Sequence, residues 1–485
     1  MVPRRHVETL VFIAGAFSYA NYWSSSEYDA NNAWNQNFNN GNQNNNNKNN
    51  TFSVRPVRDF KHSPTVVAGG LPVARLFFRE PVSSVRQLSF QDLDRDTGQP
   101  IALAELYEAY GECRRHKRQT HNALAFELDY EANLARLCDD INTGRYQPGC
   151  SIAFIVDRPV KREIFAADFR DRIVHHLIIR KLNPLFERTF IHDSYACRTG
   201  KGTHFGVRRV ERFIRQCSCN YRFDAYVLKL DIRGFFMHID QRRLFARLER
   251  FIGEHYRQGD APLLLELCQK VIFNEPARHC VIKGKRRDWR GLPPDKSLFH
   301  APRCSGLPIG NLTSQIFANF YLNPFDHYIK HDLGVRYYGR YVDDFILVHP
   351  DRAYLQSLVP ILRDTLQARF GLELHPGKIA LQHYSEGVQF LGTIIKPHRV
   401  YIAKRTKGNF YAAIQRHNAV VQEHRPAREQ EAAFLSSMNA YLGLLGHYQT
   451  YRLRQRLLFR YLSGWWWDRV SLAGGVARFV MNRPR

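Results

Sequence analysis

Aspartates at the ends of apolar runs constrain the fold of this chain more than any other feature of its sequence. Residues 341–344 (YVDD) are followed at once by an apolar run, and Asp231 closes the apolar run 227–230. Such runs of β-branched, aromatic and aliphatic residues favour strands, so Asp343 and Asp344 suit the tip of a hairpin. On the YVDD letters alone, a solvated acidic turn fits as well as a functional site. Asp231 favours the functional interpretation, because an unpaired carboxylate at the end of a buried strand is costly.

Together, Asp231, Asp343 and Asp344 can hold two divalent cations. Two Mg²⁺ ions about 3.5–4 Å apart activate an attacking hydroxyl and stabilise the leaving oxygen of an in-line displacement. Carboxylate oxygens are the ligands that Mg²⁺ prefers, and Mn²⁺ accepts the same ligands. The three aspartates therefore predict a two-metal site for nucleotidyl transfer, with a 3′-hydroxyl as nucleophile and pyrophosphate as leaving group.

The charge of the chain indicates a polyanionic partner. Its 485 residues carry a formal net charge of +25, of which the first 60 residues account for only +1. A surplus of this size favours phosphates or an anionic membrane surface. No apolar run approaches the ~18–20 residues of a spanning helix, and no amphipathic anchor is evident, so we expect no membrane partner. The apolar stretch at residues 10–17 resembles the apolar part of a secretory signal but is short. Nine cysteines are an ordinary number for a protein of a reducing compartment. We therefore expect a cytoplasmic location.

Several short motifs follow one another in an order that composition does not produce. They are residues 230–236 (LDIRGFF), 306–315 (GLPIGNLTSQ), 341–344 (YVDD), 371–378 (GLELHPGK) and 390–392 (FLG). These motifs resemble the palm motifs of a reverse transcriptase, and residues 161–172 and 194–201 resemble its fingers motifs. The resemblance implies a bacterial or phage-encoded RNA-directed DNA polymerase that binds an RNA template, a DNA or cDNA primer and dNTPs.

The resemblance also implies roles for individual residues. The catalytic, metal-binding residues would be Asp231, Asp343 and Asp344, with the Ile232 carbonyl as a further metal ligand. The residues implied to bind the incoming dNTP are Lys161, Arg162, Phe236, Ile309, Gly310, Gln315 and Lys378. Those implied to bind primer or template are Arg198, Lys201, Phe390, Leu391 and Gly392. Among them, Phe236 would exclude a 2′-hydroxyl by its bulk, and Lys378 would protonate or position the pyrophosphate.

Plainer alternatives exist for several of these roles. Phe236 could be a core side chain, since its neighbour is also a phenylalanine. Lys161, Arg162 and Lys378 could be solvated surface charges. Residues 390–392 could form a buried structural hairpin.

The motif at residues 309–315 favours one type of reverse transcriptase. Most bacterial relatives, including group II intron and retron enzymes, are similar to a Gln-Gly…Ser-Pro pattern here, whereas this chain has Ile309 and later Ser314 and Gln315. That form resembles the reverse transcriptases of diversity-generating retroelements, which copy a template-repeat RNA while misincorporating opposite adenine. An isoleucine in place of glutamine removes an amide donor and acceptor, so altered base discrimination is physically reasonable. The resemblance implies mutagenic retrohoming into a variable gene, with a small basic oligomeric accessory variability protein.

Two other functions remain open at this point. The first is a group II intron-type or retron reverse transcriptase, although the residues after Gly392 suffice for a thumb and not for added maturation and endonuclease regions. The second is a non-catalytic RNA-binding scaffold derived from a polymerase. A scaffold would have no reason to keep clustered carboxylates, whose mutual repulsion is costly.

The N-terminal segment is rich in asparagine, with 14 in residues 21–50. Such a composition favours disorder or aggregation. The letters between the asparagines, among them residues 22–26 (YWSSS) and 54–58 (VRPVR), resemble the C-terminal end of a C-type-lectin-like variable protein. Because Asn codons begin with two adenines, residues 7–60 resemble a translated template repeat whose function lies in its RNA. We expect the segment to be poorly ordered, and to be either a true fusion or an extension introduced by gene prediction.

These inferences predict an α+β fold in the form of a right-hand polymerase. The expected parts are an Asn-rich segment (1–60), a linker or extension (61–100), fingers (101–226), a palm with an antiparallel sheet (227–403) that contains a basic insert (241–305), and a helical thumb (404–485). In the insert, residues 283–290 (KGKRRDWR) carry five basic side chains and an indole, which suit either a nucleic-acid backbone or a solvated loop. The tryptophans at 465–467 are more typical of a core or interface than of base stacking.

Overall fold

The structure is a computed structural model that describes residues 101–115, 120–157 and 160–482, and the backbone of three N-terminal strands. The chain divides into two compact units, Met1–Arg86 and Gln87–Arg485. In the first unit, the described strands form an antiparallel sheet of β1 (Asn21–Glu27), β2 (Asn32–Asn37) and β3 (Gln43–Asn47), in that order. The expected poor order of residues 1–60 stays a prediction, because most of that segment lies outside the described residues, as does the expected linker at 61–100.

The second unit mixes helices with short strands, which confirms the predicted α+β class. Its strands are β4 (Ser151–Val156), β5 (Arg162–Ala166), β6 (Tyr226–Asp231), β7 (Cys280–Ile282), β8 (Tyr337–Tyr341), β9 (Asp344–His349), β10 (Ala380–His383), β11 (Val388–Phe390), β12 (Thr393–Lys396), β13 (Arg399–Ile402), β14 (Val470–Ala473) and β15 (Arg478–Met481). Its helices are α1 (Leu103–Arg114), α2 (His121–Glu127), α3 (Tyr130–Asn142), α4 (Phe169–Thr189), α5 (Thr203–Cys217), α6 (Phe235–His238), α7 (Gln241–His255), α8 (Ala261–Ile272), α9 (Leu312–His327), α10 (Arg352–Phe370), α11 (Lys404–Glu423), α12 (Arg428–Gly446), α13 (Tyr451–Tyr461) and α14 (Gly464–Arg469). In the described part of the chain, none of these helices is long and apolar enough to cross a membrane.

An antiparallel sheet in the order β10-β6-β9-β8 lies at the centre of the second unit. Successive side chains of a strand point to opposite faces of its sheet. Leu228 and Leu230 of β6 accordingly join one core, to which α10 also contributes, and Val227 joins a second core with residues of α5. Burial on both faces explains why β6 and β9 read as nearly continuous apolar runs in the sequence.

A second sheet, in the order β5-β4-β7, belongs to the predicted fingers. β4 pairs with β5 antiparallel and with β7 parallel. β7 comes from the basic insert, so the segment predicted as part of the palm completes the fingers sheet. The fingers sheet is in turn joined to the segment before α9, because the Phe165 amide donates to the Ile309 carbonyl at 2.8 Å.

The region after residue 403 is helical, as predicted, and has a core of its own. Helices α11, α12 and α13 contribute to it, and Trp466 is completely buried. The Trp466 ring stacks on Phe434 with centroids 3.9 Å apart and planes at 7°. The interpretation of this tryptophan as a core residue is therefore confirmed. A three-stranded sheet, β11-β12-β13, leads from the central sheet into α11.

Candidate active site

The three aspartates meet where β6 and β9 pair. Asp231 is the last residue of β6 and lies directly opposite Asp344, the first residue of β9. Asp343 precedes β9, and its carbonyl accepts a hydrogen bond from the Ile232 amide at 3.2 Å. The two sequence segments predicted to share one site, which are more than a hundred residues apart, are therefore joined by the strand register.

The turn between β8 and β9 holds an unusual backbone conformation. Val342 has a φ of +57°, a region that β-branched residues rarely adopt. Such a conformation costs on the order of 1–3 kcal/mol and persists only where neighbouring groups enforce it. Here the Val342 carbonyl accepts a hydrogen bond from Nη1 of Arg340 at 2.9 Å.

Arg340 is itself fixed by a buried ion pair. Its Nε and Nη2 donate to the two carboxylate oxygens of Asp326 at 2.7 and 2.5 Å, and both side chains are completely buried. The Tyr338 hydroxyl donates to the same carboxylate at 2.5 Å. Arg340 is not among the site residues predicted from the sequence. A charged residue within the strand before the YVDD motif was the feature that could have indicated it.

Two lysines partly neutralise the aspartates. Nζ of Lys378 lies 2.9 Å from both carboxylate oxygens of Asp231, and Nζ of Lys229 lies 3.3 Å from Oδ1 of Asp344. Burial, together with the charges of Asp231 and Asp344, raises the pKa of Asp343 to about 6. Burial also raises the pKa of Asp344. The site therefore concentrates more negative charge than its two lysines relieve.

The donor set fits hard divalent cations. Carboxylate and backbone carbonyl oxygens, which Asp231, Ile232, Asp343 and Asp344 would supply, are the ligands that Mg²⁺ takes. Burial, and after it the negative charges of Asp231 and Asp344, raises the pKa of Asp343, and a cation bound beside these carboxylates would favour their ionised form. Within the described ranges, no three His, Cys, Asp or Glu side chains are already grouped as a metal site. The ammonium group on Asp231 occupies space that a metal ion at that carboxylate would need.

Phe236 and its neighbour have different environments. Phe235 is 3% exposed and belongs to the main core, whereas Phe236 is only partly buried. The Phe236 carbonyl accepts a hydrogen bond from the Leu307 amide at 2.8 Å, so the segment after Asp231 is joined to the motif at 306–315. Phe235 is the more deeply buried of the two, Phe236 packs partly buried against the main core and a second cluster, and its exclusion of a 2′-hydroxyl stays a prediction.

Ile309 and Gly310 lie at the junction with the fingers. Ile309 packs with Phe236 against a small apolar cluster that contains Phe165. Gly310 has a φ of +125°, and a Cβ there would lie 2.8 Å from a methyl carbon of Ile164 and 3.2 Å from the Phe165 carbonyl oxygen. The glycine is thus required by the close approach of β5.

Gln315 is exposed on the first turn of α9, and a cysteine contacts its amide. The Cys197 thiol lies 3.2 Å from Oε1 of Gln315. Cys197 belongs to the second predicted fingers motif and has a φ of +53°. The structure therefore brings the second predicted fingers motif into contact with Gln315.

Lys161 and Arg162 stand at the start of β5. Nζ of Lys161 donates to the Arg290 carbonyl at 2.9 Å and lies 3.5 Å from Asp157. Arg162 is exposed. Of the two residues predicted to contact the triphosphate, Arg162 is the one whose side chain is turned to solvent.

Arg198 and Lys201 are held by protein groups. Arg198, with a side chain 5% exposed, pairs with Glu187 at 2.8 Å and donates to the carbonyls of Ile191 and Ser194 at 2.6 and 3.1 Å. Lys201 donates to a backbone carbonyl, and burial lowers its pKa to about 8. Arg198 thus has a structural set of partners, and its contact with primer or template stays a prediction.

The hairpin at residues 390–392 combines buried and exposed parts. Phe390 is completely buried, while Gly392 is exposed with a φ of +79°. The Gly392 carbonyl accepts a hydrogen bond from the Ala403 amide at 3.0 Å, which fixes the start of α11. Phe390 therefore fits the structural alternative, and the accessible part of the hairpin is its glycine.

The central part of the chain is similar to a known protein family. Residues 161–395 match the family described as "Reverse transcriptase (RNA-dependent DNA polymerase)", and this region contains every residue predicted for the site. The chain is 24% identical to Protein YkfC of Escherichia coli (strain K12) over 320 residues, which are 59% of this chain and 75% of YkfC.

Among solved structures, the chain is similar to two telomerases. It matches telomerase from Candida albicans in complex with a fragment of telomeric RNA at 14% identity and a TM-score of 0.40, over 70% of this chain and 61% of that chain. It matches apo telomerase from Candida tropicalis at 12% identity and a TM-score of 0.39, over 61% of this chain and 52% of that chain. The chain thus spans less than two thirds of the length of these structures.

Proposed function

We propose that this chain, which carries a reverse transcriptase domain at residues 161–395 and is an RNA-directed DNA polymerase, copies a template-repeat RNA with errors directed at adenine. The cDNA would serve mutagenic retrohoming into a variable gene. The observation that carries the proposal is the placement of Ile309, an apolar side chain that packs, as Phe236 does, against the small cluster containing Phe165, where the fingers sheet is joined to the segment before α9.

Nucleotidyl transfer would take place at the clustered aspartates. Asp231, Asp343, Asp344 and the Ile232 carbonyl would hold two Mg²⁺ ions, for which Mn²⁺ could substitute. Bound there, such ions lower the barrier of an in-line displacement by activating the primer 3′-hydroxyl and stabilising the leaving pyrophosphate. Lys378 is 48% exposed beside Asp231 and offers an ammonium group to a triphosphate bound at the carboxylates.

Selection of the nucleotide would depend on the residues around this centre. Phe236 would exclude a 2′-hydroxyl through its accessible face. Arg162, exposed at the start of β5, would contact the triphosphate as a planar, bidentate donor, and Lys161 would add charge beside it. Gly310 would keep β5 close to the nucleotide.

An isoleucine instead of a glutamine at position 309 would weaken the discrimination between nucleotides opposite one template base. A polar site that hydrogen-bonds its substrate rejects an analogue strongly, whereas an apolar site distinguishes similar shapes poorly. The Ile309 side chain has no donor or acceptor, and the amide of Gln315, which the Cys197 thiol contacts, is an exposed polar group of the same motif. Errors opposite a single base follow if that base depends most on the lost hydrogen bonds.

The partners follow from the same proposal. The RNA would be a template repeat, and residues 7–60 resemble the translation of such a repeat. A small basic oligomeric accessory protein would assist the enzyme. A near-copy of codons 7–60 in a neighbouring lectin-type gene, differing mainly at adenines, would support both the template and the target.

Primer extension on RNA templates tests the proposal. The unmodified enzyme should misincorporate at template adenines far more often than at the other three bases, and Ile309→Gln should lower that excess several-fold. Ile309→Leu, which stays apolar, serves as the matched control and should keep the excess. An enzyme that copies adenine as accurately as the other bases would instead be an ordinary group II intron-type or retron polymerase.

A further inference from the structure

The loop at residues 283–290, termed here the basic loop, has a dense and unneutralised positive charge. Its basic side chains are all exposed and are Lys283, Lys285, Arg286, Arg287 and Arg290. Across the described part of the chain, none of them forms an ion pair with an acidic side chain. The only acid of the loop, Asp288, accepts a hydrogen bond from the Lys285 amide at 2.8 Å and so stabilises the turn between them.

A buried carboxylate anchors the basic loop. Glu163, 1% exposed in β5, accepts hydrogen bonds from Nε1 of Trp289 at 2.6 Å, the Ser297 hydroxyl at 2.7 Å and the Leu298 amide at 2.5 Å. On its other side the loop follows β7, which is paired with β4. Because both ends of the loop are fixed, its backbone is positioned before any partner binds, which lowers the entropic cost of binding.

Contacts on two sides place the basic loop beside the candidate active site. Nζ of Lys161 donates to the Arg290 carbonyl at 2.9 Å, next to the residues predicted to bind the triphosphate. Nε of Arg233 donates to Asp295 at 3.3 Å, and a Cβ on Gly234 would lie 2.5 Å from the Asp295 carbonyl oxygen. Arg233 and Gly234 directly follow the Asp231 segment, so the insert packs against the chain that carries a catalytic aspartate.

An aromatic ring is accessible at the edge of the same surface. Phe299 is 39% exposed, with its ring 5.2 Å from that of Phe165 and 6.0 Å from that of Trp289. Positive charge that follows a backbone, together with an accessible ring on which a base can stack, is typical of surfaces that bind single-stranded nucleic acid. Paired bases in a duplex do not offer their faces for such stacking.

We propose that the basic loop and Phe299 bind the single-stranded RNA template on the side of the fingers from which it enters the active site. The phosphates would lie along the five basic side chains, and an unpaired base would stack on Phe299. The proposal rests on the polymerase activity and is independent of adenine-directed misincorporation, because the contacts described are to backbone and base faces and read no sequence.

Binding to primer–templates with and without a single-stranded 5′ RNA overhang tests this surface. The variant R286Q/R287Q/R290Q should lose about tenfold or more in affinity for the overhang substrate and little for a blunt duplex. Its slope of log affinity against log salt should fall by about 2, since three phosphate contacts on a single strand are lost. The control R242Q/R250Q/R363Q removes three exposed arginines elsewhere and should resemble the unmodified enzyme. Phe299→Ala should weaken overhang binding about tenfold without a change in the salt slope.

Three results would overturn the proposal. If the loop variant loses as much affinity for the blunt duplex as for the overhang substrate, the loop binds the duplex. If it loses no more affinity than the control variant, the loop does not bind the template. Photocrosslinking of the unmodified enzyme provides a test that does not depend on a variant folding. A 4-thiouridine placed a few nucleotides ahead of the templating base should crosslink to peptides of residues 283–299, and its absence there contradicts the assignment. Each measurement can use a template without adenine, so its outcome is separable from that of the mutagenesis proposal.

Discussion

The Arg340 guanidinium and the Asp326 carboxylate form a completely buried, two-bond ion pair beneath the turn that carries Asp343. The guanidinium also donates to the Val342 carbonyl, which holds the strained residue between Tyr341 and Asp343. Burying an ion pair does little for stability by itself, because desolvation offsets the attraction. The ion pair has a second effect, because it orients the guanidinium that holds the turn before Asp343. Arg340 is therefore a positioning residue for the aspartates.

We expect Arg340→Lys to lower kcat for single-nucleotide incorporation about tenfold or more, with a smaller change in the KM for dNTP. A lysine keeps the charge but cannot donate to both Asp326 oxygens and to the Val342 carbonyl at once. A misplacement of about 1 Å in a catalytic group is enough for a loss of this size. Steady-state kinetics at saturating metal measure the two constants.

The control for this substitution is Arg336→Lys, an exposed arginine just before the same hairpin. It should leave both constants unchanged. A purely structural role for Arg340 would instead lower the amount of folded enzyme without changing kcat per active site. Active-site titration with a primer–template therefore separates the two explanations.

Asp343→Asn should abolish incorporation and yet stabilise the metal-free protein above pH 6. The pKa of Asp343 is raised to about 6, so the folded state takes up a proton more readily than the unfolded chain does. This contribution to stability is fully present below pH 4, the ordinary range of Asp, and is lost as the pH rises through 6. Urea unfolding in EDTA at pH 7.5 should show a gain of about 1–2 kcal/mol, after allowance for partial solvent exposure.

The same measurement at pH 5 should show a smaller gain, because the native aspartate is then largely protonated. Asp364→Asn, at an exposed position on α10, is the control and should change neither value. A variant that is less stable than the native protein at pH 7.5 would contradict the repulsion described between the three carboxylates.

Removing the ammonium group of Lys378 should strengthen metal binding. Its Nζ lies 2.9 Å from both oxygens of Asp231 and competes with any cation at that carboxylate. Lys378→Met should therefore lower the Mg²⁺ concentration for half-maximal activity several-fold, as measured by titration of incorporation with Mg²⁺. Lys396→Met, at an exposed site on β12, should leave the titration unchanged. A higher Mg²⁺ requirement in Lys378→Met would show that the lysine assists metal binding.

Gly310→Ala should destabilise the junction between the fingers sheet and the active site. The added Cβ would meet Ile164 at 2.8 Å, and the φ of +125° is one that alanine rarely adopts. We expect a loss of about 2 kcal/mol or more in the free energy of unfolding. Gly259→Ala, where the added carbon meets nothing within 4 Å, provides the comparison. A change in Gly310→Ala within about 0.5 kcal/mol would mean that β5 can move away freely.

The sequence allowed the strands of the site to be predicted, because local patterns determine them. The apolar runs before Asp231 and after Asp344 are β6 and β9, and their pairing brings the predicted acids together. Lys378 was placed at the site only through the resemblance, and its ion pair with Asp231 could not be predicted from the sequence. Lys378 is 147 residues from Asp231, and no periodicity links the two.

Other contacts were missed because no local sequence pattern indicates them. The ion pair of Arg340 with Asp326 depends on how α9 packs relative to β8, and the hydrogen bond from Trp289 to Glu163 joins residues 126 positions apart. Both contacts are governed by tertiary packing. The burial of the Arg198 side chain likewise depends on its ion pair with Glu187 of α4, a residue outside the motif at 194–201.

The origin of β7 has a consequence for how the chain assembles during synthesis. β7 leaves the ribosome after β6, the strand that ends at Asp231, yet it completes the sheet begun by β4 and β5. Until residues 280–298 emerge, β4 has an open edge and the Glu163 carboxylate lacks its three donors. The fingers sheet therefore cannot be completed before β6 has been synthesised. A chain that ends at residue 226 would leave the edge of β4 unpaired and prone to pair with other chains. The sheet that holds Glu163 is therefore completed only by a segment that follows β6 in the chain.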